Sequence, residues 1–277
     1  MKSEKTSFES VAPDGGDGLP TYGLPIGGFP RAIAPSQSLA ARVAGVAYIV
    51  SFAIIVISTF AIHGSIDVEG SAAQIAANIV DAEPLYRLGV ASDIVYAISV
   101  LVLFSALYAI LKGVNQTLAT LAAFLRFVYA ITWVVIVINS FHVLRLLTVA
   151  DYLQVFDLKA VQALASSYLS ERLDTYYVGL VFYGLASTVC SYLFFRARYL
   201  PKALAIWGVI ASAWCAACAI AYIIAPGFAK VVNIWLFDLP MLSFEIAAGF
   251  VLMIRGLGRL NSLRDSAQLR KSKTPTR

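Results

Sequence analysis

Six apolar runs, each at least about twenty residues long, constrain this chain more than any other feature. They cover roughly 42–63, 88–111, 118–147, 175–195, 203–224 and 233–254. About 20 consecutive apolar residues carry a helix across the ~30 Å hydrocarbon core of a bilayer. The runs are continuous and do not alternate apolar with polar residues, so they read as helices and not as barrel strands. Composition agrees. Of the 277 residues, 60% are hydrophobic and only 13% charged, against roughly 25% charged in a soluble domain. Such a chain cannot cover a water-facing surface. The expected fold is an all-α, six-helix transmembrane bundle over 38–257. A disordered, Gly- and Pro-rich tail is expected at 1–37, and a basic tail at 258–277.

Charge placement sets the expected threading. Basic residues gather at the N-terminal end, at Lys112, at Arg196, Arg198 and Lys202, and at the C-terminal end. The alternate segments and the helix interiors hold Arg87, Arg126, Arg145, Lys159, Arg172 and Lys230. The positive-inside rule then places both termini in the cytoplasm of a cell membrane. The other loops are extracytoplasmic. Two of them carry short amphipathic helical patterns, in SAAQIAANIVDAE and around LKAVQALASSYL. Pro84 marks the start of the second span, with Glu83 and Arg87 paired four residues apart. Asn78 completes an interfacial cluster with them.

Charges inside the spans need a partner or a polar cavity. Arg126 lies about ten residues from the start of the third span, and Glu245 about ten from the end of the sixth. At 1.5 Å per residue each is ~15 Å deep, so the two are expected to form an intramembrane ion pair. Asp93 and Asp238 lie near the opposite ends of their spans. Asn139, His142 and Arg145 form a stripe at similar depth on the third. These five are the expected ligand-binding group, lining a vestibule open to the outside.

Other chemistry finds little support. With two histidines, His63 and His142, and no HExxH, neither metal nor cofactor is expected. No GxSxG, Walker A or dinucleotide fingerprint occurs, and no catalytic residue is assigned. The three cysteines, Cys190, Cys215 and Cys218, lie in apolar runs and read as packing residues. Nucleic acid is not an expected partner, because the basic residues are loop signals and form no patch.

The order of ARVAGVAYIV, AANIVDAEPLYRLGVASD, LYAILKGVNQTLATLAAFLRFVYA, SYLFFRARYLPKALA and SFEIAAGFVLMIRGL is similar to that of a prokaryotic membrane family, domain of unknown function 4386. The resemblance spans about 40–257 and is carried most clearly by Asn78, Glu83, Arg87, Arg126, Pro201 and Glu245. It implies an integral membrane protein of five to seven helices and brings no activity with it. In many members the residue equivalent to Arg126 is followed by an acid within one turn. Here Tyr129 stands there, which makes Glu245 the expected partner.

Three functions fit these expectations. The first is binding or movement of a small molecule or ion through an outward-facing vestibule. The second is a non-catalytic scaffold or accessory subunit. The third is a lipid-modifying enzyme built on Asp93, His142 and Asp238. The expected partners are the bilayer and a small-molecule or lipid ligand.

Overall fold

A computed structural model describes residues 35–66, 70–148, 157–225 and 227–257. Among these residues there is no strand. Helix α1 (Pro35–Val56) runs directly into a π-helical turn, Ile57–His63, and closes with Gly64–Ile66. Then come α2 (Ala72–Asp81), α3 (Glu83–Leu111), α4 (Gln116–Thr148), α5 (Leu158–Ala197), α6 (Lys202–Ile224) and α7 (Ile234–Arg255). All but α2 are long and apolar enough to cross a membrane, giving six spans. The protein is a multi-pass integral membrane protein, and its outward surface fits a bilayer. Leu39, Phe124 and Ile224, for example, point apolar side chains away from the bundle, where acyl chains take the place of water. The tails expected at 1–37 and 258–277 lie outside the described residues, except that the first helix already includes 35–37.

Local chemistry sets the helix ends. Ser71 caps α2 through a capping box: its hydroxyl accepts from the Gln74 N–H, and the Gln74 side chain accepts from the Ser71 N–H. Pro84 sits in the first turn of α3, where its missing N–H costs nothing. Beside it, Arg87 reaches Glu83 at 2.7 Å. The pair is exposed and four residues apart, so it contributes only a few tenths of a kcal/mol. Helix α5 stops at Arg198, which takes the left-handed conformation at φ 57°. The Tyr199 N–H then closes back on the Phe194 carbonyl.

The two amphipathic stretches fare differently. The first forms α2, whose Ala76 and Ile79 are buried in a cluster with Val143 and Leu144 of α4 and Val161 of α5. The second, LKAVQALASSYL, is no separate element. It forms the opening turns of α5, a single helix of 40 residues. At 1.5 Å per residue that is ~60 Å, about twice the hydrocarbon thickness. No proline interrupts 158–197, so nothing forces a break. One consequence is that Arg172 and Tyr176 stand on the same rigid rod as Tyr183 and Ser187.

Close helix approach depends on missing side chains. A Cβ on Gly45 of α1 would lie 2.4 Å from the Met253 backbone nitrogen of α7. On the facing side, Gly249 has Tyr48 and the Gly45 carbonyl against it. Small residues let backbones touch where no hydrophobic effect drives helices together. A second adjustment surrounds Pro240, inside α7. Proline has no N–H for the carbonyl four residues back, that of Leu236. The Trp214 indole of α6 donates to that carbonyl at 3.3 Å and satisfies it.

Gly45→Ala is expected to destabilise the protein by about 1–3 kcal/mol through overpacking. Gly227→Ala, with nothing within 4 Å of the added carbon, should have no effect. Thermal unfolding of both variants in detergent checks the contrast.

Candidate functional site

Two buried polar centres stand inside the bundle. The first joins four helices near mid-depth. Arg126 of α4, 1% exposed, is among the largest fully buried side chains. Its Nη2 donates to the Ser187 hydroxyl of α5 at 2.8 Å and to the Tyr48 hydroxyl of α1 at 3.4 Å. The Glu245 Oε1 of α7 lies 3.7 Å from the same Nη2. Charge attraction is direct at that distance, but the hydrogen bonding runs through Ser187, whose hydroxyl donates to Oε1 at 3.3 Å. The Tyr183 hydroxyl donates to Oε2 at 2.8 Å. The guanidinium also lies over the Tyr183 ring, 4.5 Å from its centroid. A two-bonded Arg–carboxylate fork is therefore replaced by a serine relay.

The centre is incomplete in one respect. Among the described residues, the Nε and Nη1 of Arg126 have no hydrogen-bond partner. A narrow crevice of about 10 Å³, room for roughly one water-sized group, reaches Arg126 between the last two turns of α3 and the first three of α4. Apolar residues line most of it, among them Leu107, Leu111, Ala119 and Ala122.

The second centre lies around Asp93 of α3, whose exposure is 0%. The Ser58 hydroxyl donates to Oδ1 at 2.9 Å, and Arg172 Nη2 of α5 donates to Oδ2 at 3.1 Å. His63 Nε2 stands 3.3 Å from Oδ2 but is not aligned for a hydrogen bond with it. Ser58 and His63 both belong to the π-helical turn. In an α-helix, residues five apart are about 140° apart around the axis. The i→i+5 bonding of a π-turn stacks them on one face, so both side chains reach one carboxylate. The absent side chain of Gly89 supplies the room: a Cβ there would sit 2.8 Å from the imidazole Cε1.

Tyrosines lie between the centres. The Tyr96 and Tyr129 hydroxyls are 3.1 Å apart, and the Tyr129 and Tyr183 rings pack with centroids 4.4 Å apart. The structure does not bring the five expected vestibule residues together. Asn139 donates to Glu171 at 3.3 Å. Asp238 accepts from Tyr176 at 2.9 Å. His142 and Arg145 are exposed, and the His142 ring packs 5.0 Å from that of Tyr168. The five lie toward the same end of their spans, but their helices turn them to different sides. Among the described residues, no hydrogen bond or ion pair links Asp93, His142 and Asp238. Nor is Ser58 armed as a nucleophile, since it donates to the carboxylate and not to a base. Asn78 holds the Ile66 carbonyl at 3.2 Å, tying α2 to the end of α1.

Sequence reasoning missed Ser58, His63, Arg172, Tyr183 and Ser187 as members of these centres. Arg172 carried a usable signal, because a cation within helical reach of a span must find a counter-charge. Ser187 and Tyr183 carried only the four-residue spacing that puts both on one face of α5.

A family model described as Domain of unknown function (DUF4386) matches residues 43–256, and the chain belongs to that family. No curated protein and no solved structure matches it.

Arg126→Met and Glu245→Gln are each expected to destabilise the protein by about 3–5 kcal/mol, because each leaves a buried charge without its partner. The double variant should lose clearly less than the two single losses added. Unfolding of all three in detergent gives the coupling, and additive losses would show that the two groups do not act together.

Proposed function

We propose that this member of the DUF4386 family is a cell-membrane protein with both termini in the cytoplasm, and that it binds a small polar solute or ion at the Arg126–Glu245 centre. One observation carries the reading. Among the described residues, a guanidinium buried inside a membrane bundle has two donor nitrogens without a hydrogen-bond partner, and a narrow crevice leads to it. Protein interiors rarely leave donors unpaired, and intramembrane charges commonly mark binding pathways. A solute with acceptor atoms, such as a small anion, would complete the guanidinium. The Tyr183, Ser187 and Glu245 network would hold Arg126 in place from the other side.

The charge pattern of the loops supports the threading. The crevice lies toward the α3–α4 turn, which carries Lys112, so on this topology the solute is reached from the cytoplasm. This differs from an outward-facing vestibule. A scaffold without any ligand is the competing reading, favoured by the density of hydrogen bonds around Glu245.

Two measurements test the proposal. Cysteines placed singly at positions 3 and 73, in a background with the three native cysteines replaced, should react with an impermeant maleimide from opposite sides of the membrane. Thermal unfolding in nanodiscs is then followed with chloride, nitrate and formate. At least one should raise the wild-type midpoint, and none should raise that of Arg126→Lys, which keeps the charge but loses the guanidinium donors. A folded wild type indifferent to all three would favour the scaffold.

A further inference from the structure

The Asp93 centre has a composition that the reading of Arg126 does not use. Three groups of different kinds converge there from two helices: the Asp93 carboxylate, the His63 imidazole nitrogen and the Ser58 hydroxyl. The fourth member, Arg172, comes from a third helix, and it alone keeps a clearly exposed end. Its side chain is 21% exposed, against 9% for His63 and 0% for Asp93. It meets Asp93 through one nitrogen and leaves His63 Nε2, buried and 3.3 Å from Oδ2, without a hydrogen bond among the described residues.

We propose that Asp93, His63 and Ser58 form a binding site for a primary ammonium group, and that Arg172 fills it in this conformation as a tethered substitute. An ammonium has three N–H donors and no acceptor. The site offers three acceptors: Asp93 Oδ2, His63 Nε2 in its uncharged form, and the Ser58 oxygen, which keeps lone pairs while donating to Oδ1. The guanidinium of Arg172 is planar and cannot turn its donors to all three. Exchange also conserves charge. A monovalent ammonium replaces a monovalent guanidinium that swings toward its exposed end, so the buried carboxylate is never left alone. Loss of that partner is the expensive event inside a bundle. A divalent ion would leave an excess charge and finds only two of the usual ligand side chains, His63 and Asp93.

The scaffold around the site is built for it. The π-turn places Ser58 and His63 on one face, and Gly89 admits the imidazole ring. The Ile62 side chain and the Tyr86 ring, whose centroid is 6.0 Å from that of His63, add apolar surface beside it. A short alkylamine suits such walls.

The test uses the full chain in nanodiscs, with ethylammonium chloride as probe and tetramethylammonium chloride as a control of equal charge without N–H donors. Ethylammonium should raise the unfolding midpoint of the wild type, and the control should not. Arg172→Ala removes the tethered competitor and should respond at concentrations at least tenfold lower. Adding His63→Ala to that variant should weaken the response at least tenfold. If Arg172→Ala does not fold, Arg172→Gln takes its place with the same expected order, because it keeps an N–H for Asp93 but not the charge. The proposal is overturned by a folded wild type that responds to neither salt or equally to both. It is overturned equally by an Arg172 variant no more sensitive than wild type, or by a His63 change without effect. Sodium chloride keeps the chloride concentration equal in every sample and sets the baseline midpoint, so none of these outcomes depends on anion binding at Arg126.

Discussion

A guanidinium cannot face hydrocarbon, and this bundle is arranged around that fact. Arg126 draws a hydroxyl from α1, a hydroxyl and an aromatic face from α5 and a carboxylate from α7. Each contact comes from a different part of the chain, so the charge can be neutralised only when four helices are in register. The serine between guanidinium and carboxylate matters here. At 3.7 Å the ions attract without closing on each other, and Ser187 carries the hydrogen bond from one to the other. A pair held in this way fixes helix positions and still leaves donors for something else.

Helix α5 makes the two polar centres parts of one object. Over its 40 residues it supplies Arg172 to Asp93, Tyr176 to Asp238, Tyr183 to Glu245 and Ser187 to Arg126. A continuous helix fixes the spacing of their backbones along one axis. The tyrosine layer between the centres adds a second connection through Tyr96, Tyr129 and Tyr183.

The irregular places of the backbone coincide with buried polar contacts. The π-turn in α1 gives up regular helix geometry and presents Ser58 and His63 together. The proline in α7 frees a carbonyl that Trp214 takes up. Glycines mark where one backbone, or one imidazole, must come closer than a side chain allows. In a bilayer each such departure requires a partner inside the protein, since lipid offers none.

The sequence by itself determined what depends on distance along a helix. The six spans follow from run length, and the common depth of Arg126 and Glu245 follows from counting residues at a fixed rise. The start of α3 was legible in Pro84, and the apolar face of α2 in its spacing. What only the tertiary structure decided is rotation about each helix axis and the identity of the neighbour found there. Asp93, Asn139, His142, Arg145 and Asp238 lie toward the same end of their spans but face different surroundings, and Asp93 takes its partners from a π-turn and from a helix that continues where a loop was expected. Rise per residue is a local property of the backbone. Azimuth is set by side chains packing from remote parts of the chain, and a one-dimensional pattern carries no record of which of them will meet.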